Sequence, residues 1–70
     1  MLETIREYLH RNPFQPFRIV VTSGDRYDVP NPDLVAVLPT QLFVAEARSN
    51  RFHFLRLNQI AAIEVMPEAA

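Results

Sequence analysis

FRIVVTSGDRYDVPNPDLVAVL, residues 17–38, is the stretch on which the fold turns. Phe17, Ile19 and Val21 alternate with Arg18, Val20 and Thr22, the period-two pattern of a strand over residues 17–22. Ser23-Gly24-Asp25 follows and holds the only glycine of the chain. A lone glycine between two strand-like runs marks a tight hairpin turn that needs positive φ. Arg26 to Val29 is the return strand, with Tyr27 and Val29 on one face. Pro30-Asn31-Pro32-Asp33 interrupts it, because proline has no N–H to give to a ladder. Leu34 to Leu38 is then apolar at every position, which predicts burial on both faces or a sharp bend. Residues 26–38 thus read as one bent strand interrupted near 30–33.

Upstream, Leu2, Ile5, Tyr8 and Leu9 recur at spacings of three and four, placing them on one stripe of a helix over residues 2–11. Glu7 and Arg11 form an i,i+4 pair, and Pro13 forbids continuation. A helix this short does not persist alone in water, so its stripe must lie on the sheet or on a neighbouring subunit. Asn12-Pro13-Phe14-Gln15-Pro16-Phe17 is a stiff connector whose two phenylalanines can plug one end of a core.

Downstream, further strands are expected over residues 42–47, 51–57 and 60–66, with turns at Pro39-Thr40-Gln41, Arg48-Ser49-Asn50 and Asn58-Gln59. Phe52 and Phe54 share one face of their strand, whereas Leu55 and Leu57 share the other. That pattern requires a bulge near Phe54 or cover on both faces. The whole predicts a single domain over residues 1–70 of class α+β, mainly β. Its N-terminal helix precedes a strongly bent five-stranded antiparallel sheet, a small and partly open barrel.

Composition narrows the function. A core of this size supplies only about 3–5 kcal/mol, so a small domain commonly needs a staple. The chain has no cysteine, which excludes disulfides and thiolate metal sites. His10 and His53 fall in different elements without a partner motif, so neither a metal nor any other cofactor is expected. Self-association is the remaining device, and a homo-oligomer is expected. No apolar run approaches a membrane span and the N-terminus is charged from Glu3, so the expectation is a cytoplasmic protein without membrane contact. All seven basic residues are arginine and the net charge is −1, which lacks the positive excess of a general nucleic-acid binder.

The element order resembles the Sm-like fold, and the nearest pattern is that of the bacterial host-factor (Hfq-type) proteins. Residues 17–24 look like the first strand and glycine turn of that family, residues 33–38 like its aspartate and apolar third strand, and residues 57–65 like its last two strands. The resemblance implies a strongly bent five-stranded barrel and RNA binding. The chain departs from the family where Val29-Pro30 replaces the glycine that bends the second strand. It departs again where Asn58-Gln59 replaces the Lys-His pair used on RNA. A second likeness, carried by Pro13-Phe14-x-Pro16-Phe17-Arg18-Ile19 and by Val29-Pro30 with Pro32-Asp33, is to a group of short bacterial proteins of unknown function.

No nucleophile elbow, phosphate-cradling glycine loop, HExxH or CxxC is present, and no enzymatic activity is expected. His53 has neither a nucleophile nor an orienting carboxylate near it in sequence, and His10 suits a helix C-terminus. Asp25, Asp28 and Asp33 lack calcium-loop spacing; Asp25 reads as a turn residue and Asp33 as a local cap. The five phenylalanines could stack on bases, but they read more simply as core. Arg48, Arg51 and Arg56 are the candidate contacts to RNA or an acidic partner. Ile60, Ile63 and Val65, on the last strand, are the candidate oligomer edge. The resulting expectation is a small binding or assembly module, with an RNA-binding riboregulator as the alternative and a regulator or antitoxin acting on one protein partner as the third reading.

Overall fold

The computed structural model describes residues 2–66. Helix α1 covers Leu2–Leu9. Ile5, in the middle of its apolar stripe, is fully buried, with Tyr8 and Leu9 packed against the same core. The helix ends in a turn at His10, whose N–H donates to the Arg6 carbonyl at 3.0 Å. Glu7 and Arg11 pair at 3.8 Å on the exposed side. The connector follows, with a cis Asn12–Pro13 bond, and lays the Phe14 and Tyr8 rings about the buried Phe17 ring, with centroids 6.0 and 5.5 Å from it.

Six strands come next: β1 Phe17–Val21, β2 Arg26–Val29, β3 Val35–Val37, β4 Gln41–Ala45, β5 Phe52–Arg56 and β6 Ile60–Val65. They form two separate three-stranded antiparallel sheets, in the orders β2-β1-β6 and β3-β4-β5. This corrects the expected five-stranded bent barrel. Such a barrel needs one continuous strand from Arg26 to Leu38, carrying the ladder from one sheet into the next. Pro30 and Pro32 prevent it, because neither can donate to a ladder. Pro32–Leu34 winds instead into a 3₁₀ turn, capped by the Asn31 side chain, which accepts from the Asp33 N–H at 3.0 Å. The cap is therefore Asn31 and not Asp33. Leu34 belongs to this turn, and only Val35–Val37 remains as strand, with Ala36 exposed between two half-buried valines. Neither sheet closes or curls.

A second 3₁₀ turn, Leu57–Gln59, carries the chain from β5 back to the first sheet. Gly24 turns the β1–β2 hairpin at φ 95°. The one irregularity in the ladders falls between Val20 and Val21, where β1 meets β6. The pairing of β4 with β5 is unbroken from Gln41↔Arg56 to Ala45↔Phe52, so no bulge falls at Phe54.

A single core unites the two sheets. Phe17, Ile19, Val21, Val29 and Ile60 come from the first, Leu42, Val44 and Leu55 from the second, and Ile5 from the helix. Every buried residue of this core is apolar. Burial alternates strictly along β1 and β4, so each sheet offers one face to the core and turns the other outward. Among the described residues, no helix is long and apolar enough to cross a membrane.

Candidate functional site

The outward face of the second sheet carries Ala36 on β3, Gln41, Phe43 and Ala45 on β4, and Phe52, Phe54 and Arg56 on β5. The register sets these residues directly opposite one another: Ala36↔Phe43↔Phe54, Ala45↔Phe52 and Gln41↔Arg56. The face is fixed by the other phase of each strand, since Leu42 and Leu55 are opposite each other and both buried. Once those leucines point inward, the phenylalanines must point out.

Three rings thus meet on the surface. Phe43 stacks on Phe52 with centroids 5.3 Å apart, Phe54 meets Phe43 edge-on at 5.4 Å, and Phe52 meets Phe54 edge-on at 6.1 Å. Phe52 is 57% exposed and Phe54 56% exposed, so mutual contact leaves more than half of each in water. The expectation that all five phenylalanines serve the core fails for these three. Phe17 is core, and Phe14 is packed against it.

The aromatic face ends on an open edge. β4 is central, so β5 has no strand on its other side among the described residues. Glu46 N–H donates to the Arg51 carbonyl at 3.0 Å and Leu57 N–H to the Thr40 carbonyl at 3.1 Å. Hydrogen-bonded and non-bonded pairs alternate in an antiparallel ladder. The groups of Arg51, His53, Leu55 and Leu57 therefore face β4. Those of Phe52, Phe54 and Arg56 face outward from the free edge. The residues with exposed rings are also residues with unpaired backbone.

Of the three candidate arginines, only Arg56 stands on the aromatic face, at its far end, beside a shallow depression bordered by Pro39, Thr40, Leu57 and Asn58. Arg48 and Arg51 lie at the β4–β5 turn at the opposite end, where Arg48 and Glu46 border a second depression with His53. The structure does not gather the three into one patch. Ile60, Ile63 and Val65 lie on β6, an edge of the first sheet. Ile60 is buried in the core, Ile63 is half-buried against it and Val65 is 49% exposed.

His53, on the inward side of β5, does have a carboxylate partner. Its Nε2 lies 2.7 Å from a Glu46 carboxylate oxygen. The seven-residue separation across the turn hid this pair from the sequence. The hydrogen bond from His53 is the main cause that holds the Glu46 carboxyl below its usual range. The Ser49 hydroxyl donates to Glu46 at 3.3 Å, so the carboxylate sits between serine and imidazole. A nucleophile–base–orienter arrangement needs the imidazole in the middle. Tyr27 closes the other side of His53, with ring centroids 4.8 Å apart. The cluster ties the turn to β5 and to the first sheet. Among the described residues, no three of the His, Asp and Glu side chains come together as a metal-binding group.

No protein-family model, curated protein or solved structure matches the chain.

Proposed function

We propose that this protein is a non-enzymatic binding and assembly module whose working surface is the outward face of the second sheet together with the free edge of β5. The observation that carries this reading is the Phe43–Phe52–Phe54 cluster, two of whose rings are more than half exposed. Contiguous exposed aromatic surface costs solvation, and in small soluble domains it marks an interaction site. Aromatic residues beside arginine are the composition that dominates interface energetics. An unpaired strand edge next to such a patch adds backbone hydrogen bonds to the same contact.

Single-stranded nucleic acid is the competing ligand, because exposed rings also stack on bases. The separation of Arg56 from Arg48 and Arg51 and the net charge of −1 weigh against it. Light scattering on a size-exclusion column, with the ultraviolet absorbance ratio recorded, tests the proposal on the full chain and on Phe52→Ser/Phe54→Ser. The wild type should carry mass beyond one chain, and the double variant should lose it while keeping its circular dichroism spectrum. If both proteins elute as bare monomers at every concentration, the surface is not used and the reading fails.

A further inference from the structure

The β5 edge is self-complementary, and from this we infer that the partner it takes is a second copy of the same chain, paired β5 to β5 about a twofold axis through Phe54. This rests on the reading of the β5 face as the working surface and specifies its occupant.

The outward-facing backbone groups are those of Phe52, Phe54 and Arg56. Two antiparallel copies can bond only in registers that set one of these three against another. A register centred on His53 sets histidine against histidine and pushes Arg56 beyond the partner strand. One centred on Leu55 sets Phe52 against the partner's Asn58, outside the strand. The register centred on Phe54 alone uses the full span of β5, Phe52–Arg56. Phe54 then faces the partner's Phe54, and Phe52 faces the partner's Arg56. His53 faces the partner's Leu55. Each of the outward pairs exchanges both of its backbone hydrogen bonds.

Side-chain chemistry favours the same register. No like charges stand opposite each other, a pairing that would destabilise a sheet. Each guanidinium meets a phenyl ring, where a cation gains from the ring face. The clusters of the two copies become continuous across the axis, so the two Phe54 rings flank each other and lose part of their exposure to water. The other edges fit less well. Pro30 follows β2, and β3 is three residues long between Pro32 and Pro39. β6 is open, but its outward Glu64 already faces Arg18 at 4.0 Å, with Ala62 beside it. Neither offers a surface that covers a phenyl ring. A symmetric β5 pair also closes, leaving no further aromatic edge for growth.

The test is nuclear magnetic resonance on a mixture of isotope-labelled and unlabelled full-length chains. The expected result is a symmetric dimer with one set of resonances and an intermolecular contact between the α-protons of His53 and the partner's Leu55. Such contacts arise at the non-hydrogen-bonded pairs of an antiparallel ladder. Phe54→Ser should raise the dimer dissociation constant by about a hundredfold or more, since two rings are lost at the centre of the interface. Arg26→Ser, on the β2 edge, should leave it unchanged. Contacts from β5 to Ile63 or Val65 would mean head-to-tail assembly and would overturn the twofold pairing while leaving the aromatic face as the working surface. A monomer carrying nucleic acid, released when Phe52 and Phe54 are both serine, would do the same. A bare monomer would sink both ideas.

Discussion

The outward faces of the two sheets make opposite use of the same architecture. In the first, the central strand places Arg18 between Asp28 and Glu64, its partners on either side. Arg18 Nε donates to Asp28 at 2.8 Å and Nη1 approaches Glu64 at 4.0 Å. The Asp28 hydrogen bond, foremost, raises the Arg18 pKa above its ordinary value. In the second sheet the central strand places Phe43 between Ala36 and Phe54. One face satisfies itself with opposite charges and is complete in water; the other is apolar and incomplete. The inward faces, by contrast, are both apolar: branched aliphatic residues line each, and the first adds the Phe17 ring. The inward faces thus build the shared core, and the outward face of the second sheet leaves apolar rings in water where that of the first pairs its charges.

The sharpest way to break that division is to treat one residue type in two places. Phe17→Ala empties the centre of the shared core, beneath the helix and beside Ile19, and should cost about 3–5 kcal/mol. A domain this small has little more to lose. Phe54→Ala, on the outward face, should cost the monomer less, about 1–3 kcal/mol for its two ring contacts. Denaturant titration of both, at concentrations low enough to hold the chain monomeric, measures the contrast. Equal losses would mean that the aromatic face is part of the fold rather than a surface reserved for contact.

Gly24→Ala comes next. A Cβ there meets no atom within 4 Å, so the cost is conformational, set by the φ of 95°. An expected loss of about 1–2 kcal/mol follows from the left-handed backbone alone. This change weakens the hairpin that brings Asp28 to Arg18, yet it should not alter the behaviour of the aromatic face. Arg18→Met is smaller again, because both partners are partly exposed and water screens the pair. Its expected consequence is a loss of salt dependence in the melting temperature, with the assembly state unchanged.

Much of this was legible in the chain, and what was not has a physical reason. The alternation of Phe17, Ile19 and Val21 places β1, and Gly24 places its turn, because both signals are local. Pro30 and Pro32 were visible as an interruption, but its consequence, two sheets instead of one bent strand, depends on whether the ladder resumes in line. That is a tertiary matter, settled by the 3₁₀ turn at Pro32–Leu34. The phase of Phe52-His53-Phe54-Leu55-Arg56 was equally visible. Which phase faces inward was not, because it is set by Leu42, thirteen residues before Leu55, and by the packing of the first sheet beneath both. Phenylalanine is so often core that composition argued for the wrong face. The Glu46–His53 pair escaped because it forms only when β4 and β5 are in register.

That pair supplies the last and smallest test, and it bears on the strand that carries the exposed rings. Glu46 lies just past β4 and holds His53 of β5, so it fastens the hairpin on which Phe52 and Phe54 stand. The Glu46 carboxyl titrates lower in the folded chain than in the unfolded one, chiefly through the His53 hydrogen bond. The folded state therefore binds its proton less readily, and stability rises with pH across that interval. The contribution is complete above the unfolded carboxyl pKa and disappears as the pH falls through the lower folded value. Glu46→Gln should accordingly be slightly less stable than the wild type at neutral pH, with the difference fading only below the ordinary glutamate range. Paired denaturation curves taken from neutral pH into acid would show this. A difference that persisted or grew at low pH would mean that the pair does not secure the hairpin through its charge, and that Leu42, Val44 and Leu55 hold β5 in place by packing alone.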